Sequence, residues 1–157
     1  MKINKRLLFI CVAIPLIVGA VSALLTQNSM EMFESLNQPP LSPPGWLFPV
    51  VWTILYTLMG ISTYLIITTG EDREEVRKAL TIYGYQLVVN FLWPTFFFNF
   101  GWYLFSFVWL LLLWGLVILM IIRFWNINKV AAYMNIPYLV WLTFAAYLNL
   151  GVWILNP

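Results

Sequence analysis

The chain has 157 residues, of which 62% are hydrophobic, 18% aromatic and 9% charged, with a net charge of +2. A soluble domain carries about 25% charged residues, so this composition describes an integral membrane protein of one domain, with no charge excess to recruit nucleic acid. Histidine is absent and Cys11 is the single cysteine, which removes the commonest transition-metal and haem ligand, the commonest general base and any internal disulfide.

The first apolar run, residues 7–26, follows Lys2, Lys5 and Arg6. A signal peptide is the competing reading, with Val21-Ser22-Ala23 as its cleavage site. The run is nevertheless about 20 residues long, whereas a signal core has about 7–15. Pro15 predicts a kink, and Gly19 with Ala23 forms a small-xxx-small pair suited to close helix approach. Residues 27–45 form the one long polar connection on their side. Within it Met30 to Leu36 can make a short amphipathic helix with Met32, Phe33 and Leu36 on one face.

Prolines at 39, 40, 43 and 44 then hold the backbone extended. Pro49 falls in the first turn of the second span, residues 46–69. There Phe48, Trp52 and Tyr56 recur every fourth residue and line one face. A stiff loop ending at an aromatic stripe is one way to build a lid over a flat apolar ligand.

The run EDREEVRK, residues 71–78, reads as a solvated turn of mixed charge. The third span, residues 79–98, places Gln86, Asn90, Trp93 and Phe97 on one face. Residues 99–102 make a tight turn, and residues 103–122 make the fourth span. After the loop at 123–129 the fifth span, residues 130–155, carries Tyr138, Trp141, Ala145 and Leu148 or Asn149 along a face. The architecture predicted is all-α: a bundle of five transmembrane helices with residues 27–45 as a lid loop.

All eight Lys and Arg fall in the N-terminal tail, at 71–78 or at 123–129. These segments share one side if there are five spans. The positive-inside rule then makes the N-terminus cytoplasmic and puts the lid loop and C-terminus outside. No Asp, Glu, Lys, Arg or His lies within a span, which argues against ion-coupled transport. Buried amides in lipid need partners, so Asn90 and Asn149 are expected to point inward, either as helix-to-helix glue or as ligand contacts. Trp46, Trp102, Trp125 and Trp153 sit near span ends as interfacial anchors, while Trp52, Trp93 and Trp141 lie deeper, in a packed core or around a pocket.

PPLSPPGWLFPVVWTILY, QLVVNFLWPTFFF and PYLVWLTFAAYLNLGVW follow one another in an order and spacing that resemble the TspO/MBR family, which includes the bacterial tryptophan-rich sensory proteins and the mitochondrial translocator protein. The resemblance covers essentially the whole chain, with PY-x-x-W-x-x-x-A-x-Y-L-N in the fifth span as its most specific part. It implies a five-helix membrane bundle, often a homodimer, here in a bacterial cell membrane. The ligands it implies are porphyrins such as protoporphyrin and haem, with sterols and benzodiazepine-type compounds in some members. No cofactor or metal is required.

On the same resemblance the matching ligand-binding positions are Phe33, Pro43, Trp46 and Phe48 at the lid and its hinge. Trp52 and Tyr56 follow in span two, Asn90, Trp93, Pro94 and Phe97 in span three, and Trp141, Phe144, Ala145 and Leu148 in span five. Trp52 and Trp141 match the tryptophans linked to light-dependent porphyrin breakdown. That leaves an enzymatic alternative, in which these two indoles would be the catalytic residues, and a passive translocation alternative. The sterol motif of the animal proteins ends in a basic residue, and no Lys or Arg follows Lys129 here.

Overall fold

The computed structural model describes residues 2–157, all of its regular structure helical. The elements are α1 (Lys5–Thr26), a 3₁₀ turn (Gln27–Ser29), α2 (Met30–Glu34), α3 (Leu47–Thr69), α4 (Arg73–Pro94), a π turn (Thr95–Asn99), α5 (Tyr103–Trp125), α6 (Lys129–Tyr133) and α7 (Ile136–Leu155). Among the described residues four stretches are long and apolar enough to cross a membrane: Lys5–Ser29, Leu47–Thr69, Tyr103–Trp125 and Lys129–Leu155. α4 matches them in length, with 22 residues, but its charged first turns and its amides lower its hydropathy below theirs.

Local chemistry sets the ends. Asn4 caps α1 by accepting from the Leu7 N–H. Asp72 caps α4, accepting from the N–H groups of Glu74 and Glu75, and these two acids favour the positive end of the helix dipole. The run at 71–78 is therefore the start of a helix rather than a turn, and α4 begins six residues before the expected Ala79. At its other end Pro94 lacks an N–H and the chain loosens into the π turn, so the regular α-helix stops four residues before the expected Phe98.

The expected fifth span stands as one apolar stretch, Lys129–Leu155, but its helix is interrupted between α6 and α7. Asn128 caps the short α6, and Asn135 separates α6 from α7 while donating to Ser62 Oγ and to the Ala131 carbonyl, both at 3.0 Å. Pro137 stands in the first turn of α7, where its missing N–H leaves no bond unmade. The expected loop at 123–129 shrinks too, because Arg123 still belongs to the last turn of α5. The amphipathic segment in the lid loop makes a single short helix, with Met32 exposed and Phe33 turned inward onto Phe97 and Phe98.

α1 packs on α3 and α4, α4 on α5, and α5 on α7. The closest backbone approach uses Gly60, where an added Cβ would stand 2.4 Å from Val12 Cα and 2.6 Å from the Cys11 carbonyl. Gly19 makes room for a side chain, the Tyr56 ring, and its expected companion Ala23 faces outward. Inside this ring of helices Leu55, Met59, Leu110, Leu113, Val117, Met120, Phe124 and Leu142 form the core. The ring closes least tightly between α3 and α7, which meet through side chains, Phe48 with Trp141 and Trp52 with Tyr138.

The two ends of the bundle differ. One gathers the basic residues at the starts of α1, α4 and α6 and the end of α5, tied by Asn4 N–H to Tyr64 Oη (3.0 Å), Arg123 to Glu75 (3.7 Å) and Asn128 to Thr69 (3.1 Å). The other end holds the lid loop and the C-terminus.

Candidate functional site

A chain of uncharged polar groups runs through the middle of the bundle. Tyr56 on α3 donates its hydroxyl to Asn90 Oδ1 on α4 at 3.0 Å. Asn90 Nδ2 donates to the Tyr138 hydroxyl on α7 at 2.6 Å, and Tyr138 donates in turn to Gln86 Oε1 at 2.7 Å. All four side chains are buried, Gln86 and Tyr138 almost completely. With no water at this depth each amide must find its partner on a neighbouring helix, and the i, i+4 spacing of Gln86 and Asn90 lets one phenol serve both.

Aromatic rings flank this network on the lid side. Trp52 stacks on Tyr56 with ring centroids 5.3 Å apart, and Trp93 stacks on Phe97 at 5.0 Å. The Trp93 indole donates to Asn149 Oδ1 at 3.1 Å, and Asn149 donates to the Tyr103 carbonyl at 2.8 Å. Both Asn90 and Asn149 thus point inward, as their depth in the bundle demands. Between the rings lies an interior cleft lined by Trp52, Asn90, Trp93, Leu110, Leu113, Leu142 and Ala145. Its free volume is only about 10 Å³, room for a single water, whereas pockets for drug-sized ligands measure about 300–1,000 Å³. The cleft is shut.

The lid loop is fastened to the end of α7. Asn37 N–H donates to Asn156 Oδ1 at 3.1 Å and Asn156 Nδ2 returns a bond to the Asn37 carbonyl at 2.8 Å. Tyr147 donates to the Pro40 carbonyl at 2.7 Å, and buried Pro39 rests on Gly151. Pro39 and Pro40 thus act as the footing of the loop, a role that needs their rigid backbone. On the α1 side Ser29 donates to Asn99 Oδ1 at 2.6 Å and Asn99 donates to the Leu25 carbonyl at 3.0 Å.

The expected site residues divide into three groups. Trp52, Tyr56, Asn90, Trp93 and Ala145 surround the cleft or its network, and Phe97 backs Trp93. Phe33 covers Phe97 from the lid, and Pro94 ends the helix that carries Asn90 and Trp93. Trp141, Phe48 and Phe144 lie elsewhere. Trp141 and Phe144 line a separate, open groove of about 580 Å³ between α3 and α7, together with Val51, Ile54, Leu55, Pro137 and Val140. Phe48 packs edge-on against Trp141 with centroids 5.8 Å apart. The single aromatic pocket expected to hold both Trp52 and Trp141 is therefore two hollows: Pro137, Val140, Trp141 and Phe144 of α7 line the groove, while Leu142 and Ala145 line the cleft. Pro43 and Leu148 are half-buried without a polar contact, and Trp46 is 67% exposed at the hinge, as an interfacial anchor would be.

Gln86 and Tyr138 are the residues that sequence reasoning placed on inward faces yet left out of the site, and they are its polar centre. Leu110 and Leu113 of α5 had no such signal, since a span that is apolar all round does not mark its inner face.

Comparison with known proteins fits this arrangement. The model of the TspO/MBR family matches residues 11–154. The tryptophan-rich protein TspO of Chlorobaculum tepidum is 34% identical, over 98% of this chain and 99% of its own. Protein CrtK of Rhodobacter capsulatus is 35% identical over 88% and 86%, and the translocator protein of sheep, Ovis aries, is 37% identical over 80% and 75%. The chain belongs to the TspO/MBR family and is a multi-pass integral membrane protein.

Proposed function

We propose that the protein is a membrane receptor for porphyrin-type tetrapyrroles, protoporphyrin or haem, held in the interior cleft beneath the lid loop. In this reading α4 is the fifth crossing. Its amides are paired inside the bundle, so they do not face lipid. The gathering of basic residues at one end supports a cytoplasmic N-terminus, with the lid and C-terminus on the far side.

The observation that carries the proposal is the pair of indoles that line the cleft with Asn90 beneath a fastened lid, Trp52 stacked on Tyr56 and Trp93 stacked on Phe97. A flat macrocycle stacks on such rings, each contact adding about 0.5–1.5 kcal/mol beyond area burial. Asn90 supplies a hydrogen bond once Tyr56 or Tyr138 releases it. The propionates would stay at the lid end, near water. Because the cleft is shut, binding must part α3, α4 and α7 or lift the lid, and association should be slow for the affinity reached.

The test is a titration of the detergent-solubilised protein with protoporphyrin in the dark, following tryptophan fluorescence. Saturable quenching is expected, with its midpoint moved to higher porphyrin concentration in Trp52→Phe and Asn90→Leu. Quenching that never saturates, or that both variants leave unchanged, would remove the cleft as the site. Subsequent illumination separates binding from breakdown: porphyrin absorbance falling no faster than in free detergent leaves binding alone.

A further inference from the structure

A hollow much larger than the interior cleft lies on the outside of the bundle. α3 and α7 belong to two of the membrane-crossing stretches, and the groove between them opens sideways. Its rim residues Ile54 and Val140 are 55% and 63% exposed, so the groove is continuous with the surface that meets the bilayer hydrocarbon. Leu55 and Trp141 back it, and Trp141 brings the one polar side-chain group of its lining residues, an indole N–H that is buried with no partner among the described residues.

We infer that this seam is a seat for a hydrocarbon chain, an acyl chain of a bilayer lipid, distinct from the interior cleft. Water is not a suitable occupant, because a buried water needs about 2–4 polar partners and the lining side chains offer at most one, the Trp141 indole N–H. An empty recess would leave its lining without dispersion contacts on one side. A helix of a second copy, about 10 Å across with its side chains, is too broad for a recess whose walls are still bridged. Those bridges are Phe48 to Trp141 and Trp52 to Tyr138, with ring centroids 5.8 and 6.1 Å apart. A single chain of methylenes has the width and the polarity that remain. The seat does not depend on porphyrin binding, since Trp141 and Leu55 close it off from the cleft.

The inference is tested in nanodiscs containing phosphatidylcholine with a diazirine midway along one acyl chain. The discs are irradiated and adducts mapped by peptide mass spectrometry. Residues 51–55 and 137–144 should be labelled several-fold more, residue for residue, than the outward face of α1 around Phe9 and Ile17. Val140→Trp and Ile54→Trp, which fill the groove from opposite walls, should each cut seam labelling several-fold and leave α1 labelling unchanged, the latter serving as the control for folding. Seam labelling no higher than on α1, or insensitive to both fillings, overturns the inference. So does an unlabelled seam accompanied by chain-to-chain crosslinks at these residues, which would assign it to a second copy.

Discussion

Pro39 of the lid loop sits directly against Gly151 of α7: a Cβ at position 151 would lie 2.6 Å from both Cβ and Cγ of the proline ring. Neither partner can yield, since one is a ring and the other a helix backbone. Gly151→Val should therefore push the loop off its seat, an overpacking that costs about 1–3 kcal/mol. The loss falls on the loop, not on the bundle. Protease cleavage between residues 35 and 46 should speed up markedly while thermal unfolding in detergent moves little. Asn156→Ala, which removes the reciprocal amide bonds to Asn37, should do the same in milder form. Cleavage unchanged in both variants would mean that the lid is held by something else.

The buried network predicts an order of damage. The Tyr56 hydroxyl makes one bond, to Asn90, whereas the Tyr138 hydroxyl accepts from Asn90 and donates to Gln86. Tyr56→Phe should cost about 0.5–1.5 kcal/mol, the net value of one hydrogen bond. Tyr138→Phe strands two buried amide groups and should cost about twice that. Thermal unfolding in one detergent, with the two variants side by side, checks the ranking. Equal losses would mean that water or a rotated amide restores the missing partners.

What could be read from the residues alone tracks how unusual each residue is in lipid. Asn90 and Asn149 betray their inward direction because an unpaired amide cannot face acyl chains, and both are buried and bonded. Pro39 and Pro40 mark a stiff loop for the same kind of reason. The split between Trp52 and Trp141 was not legible. An indole is equally at home against core, cleft or lipid, and Trp141 stands so close round the helix to Ala145 that spacing alone does not decide which hollow its ring borders. Nor was the break at Asn135 visible, since a buried asparagine reads as an inter-helix bond until its partners Ser62 and Ala131 are known. The early start of α4 was there to be seen in Asp72 followed by Glu74 and Glu75, a capping pattern that the density of charge disguised as a turn.

Glycines at different depths should respond with opposite signs. A Cβ on Gly60 meets the backbone of α1, at 2.4 Å from Val12 Cα, so Gly60→Ala has to separate two helices and should cost about 1–3 kcal/mol. Among the described residues nothing beyond their own stretch of helix lies within 4 Å of a Cβ added at Gly84 or Gly115. There alanine only restricts the unfolded backbone and should gain about 0.5–1 kcal/mol. A matched set of unfolding curves for the three variants checks this. A neutral Gly60→Ala would show that α1 can shift on α3 freely.

The two hollows make a prediction that one shared pocket would not. Trp52 borders the interior cleft, whereas Trp141 borders the outer seam and touches the cleft only through its neighbours Leu142 and Ala145. If porphyrin binds in the cleft, Trp52→Phe should remove a stacking partner worth about 0.5–1.5 kcal/mol, a weakening of up to roughly tenfold in Kd. Trp141→Phe should leave Kd nearly unchanged, because its indole N–H bonds nothing and phenylalanine still fills most of the seam wall. Parallel dark titrations of the two variants with protoporphyrin, read by the change in porphyrin absorbance so that lost tryptophans do not distort the signal, decide it. The reverse ranking would move the tetrapyrrole from the cleft into the seam and displace the hydrocarbon chain assigned there.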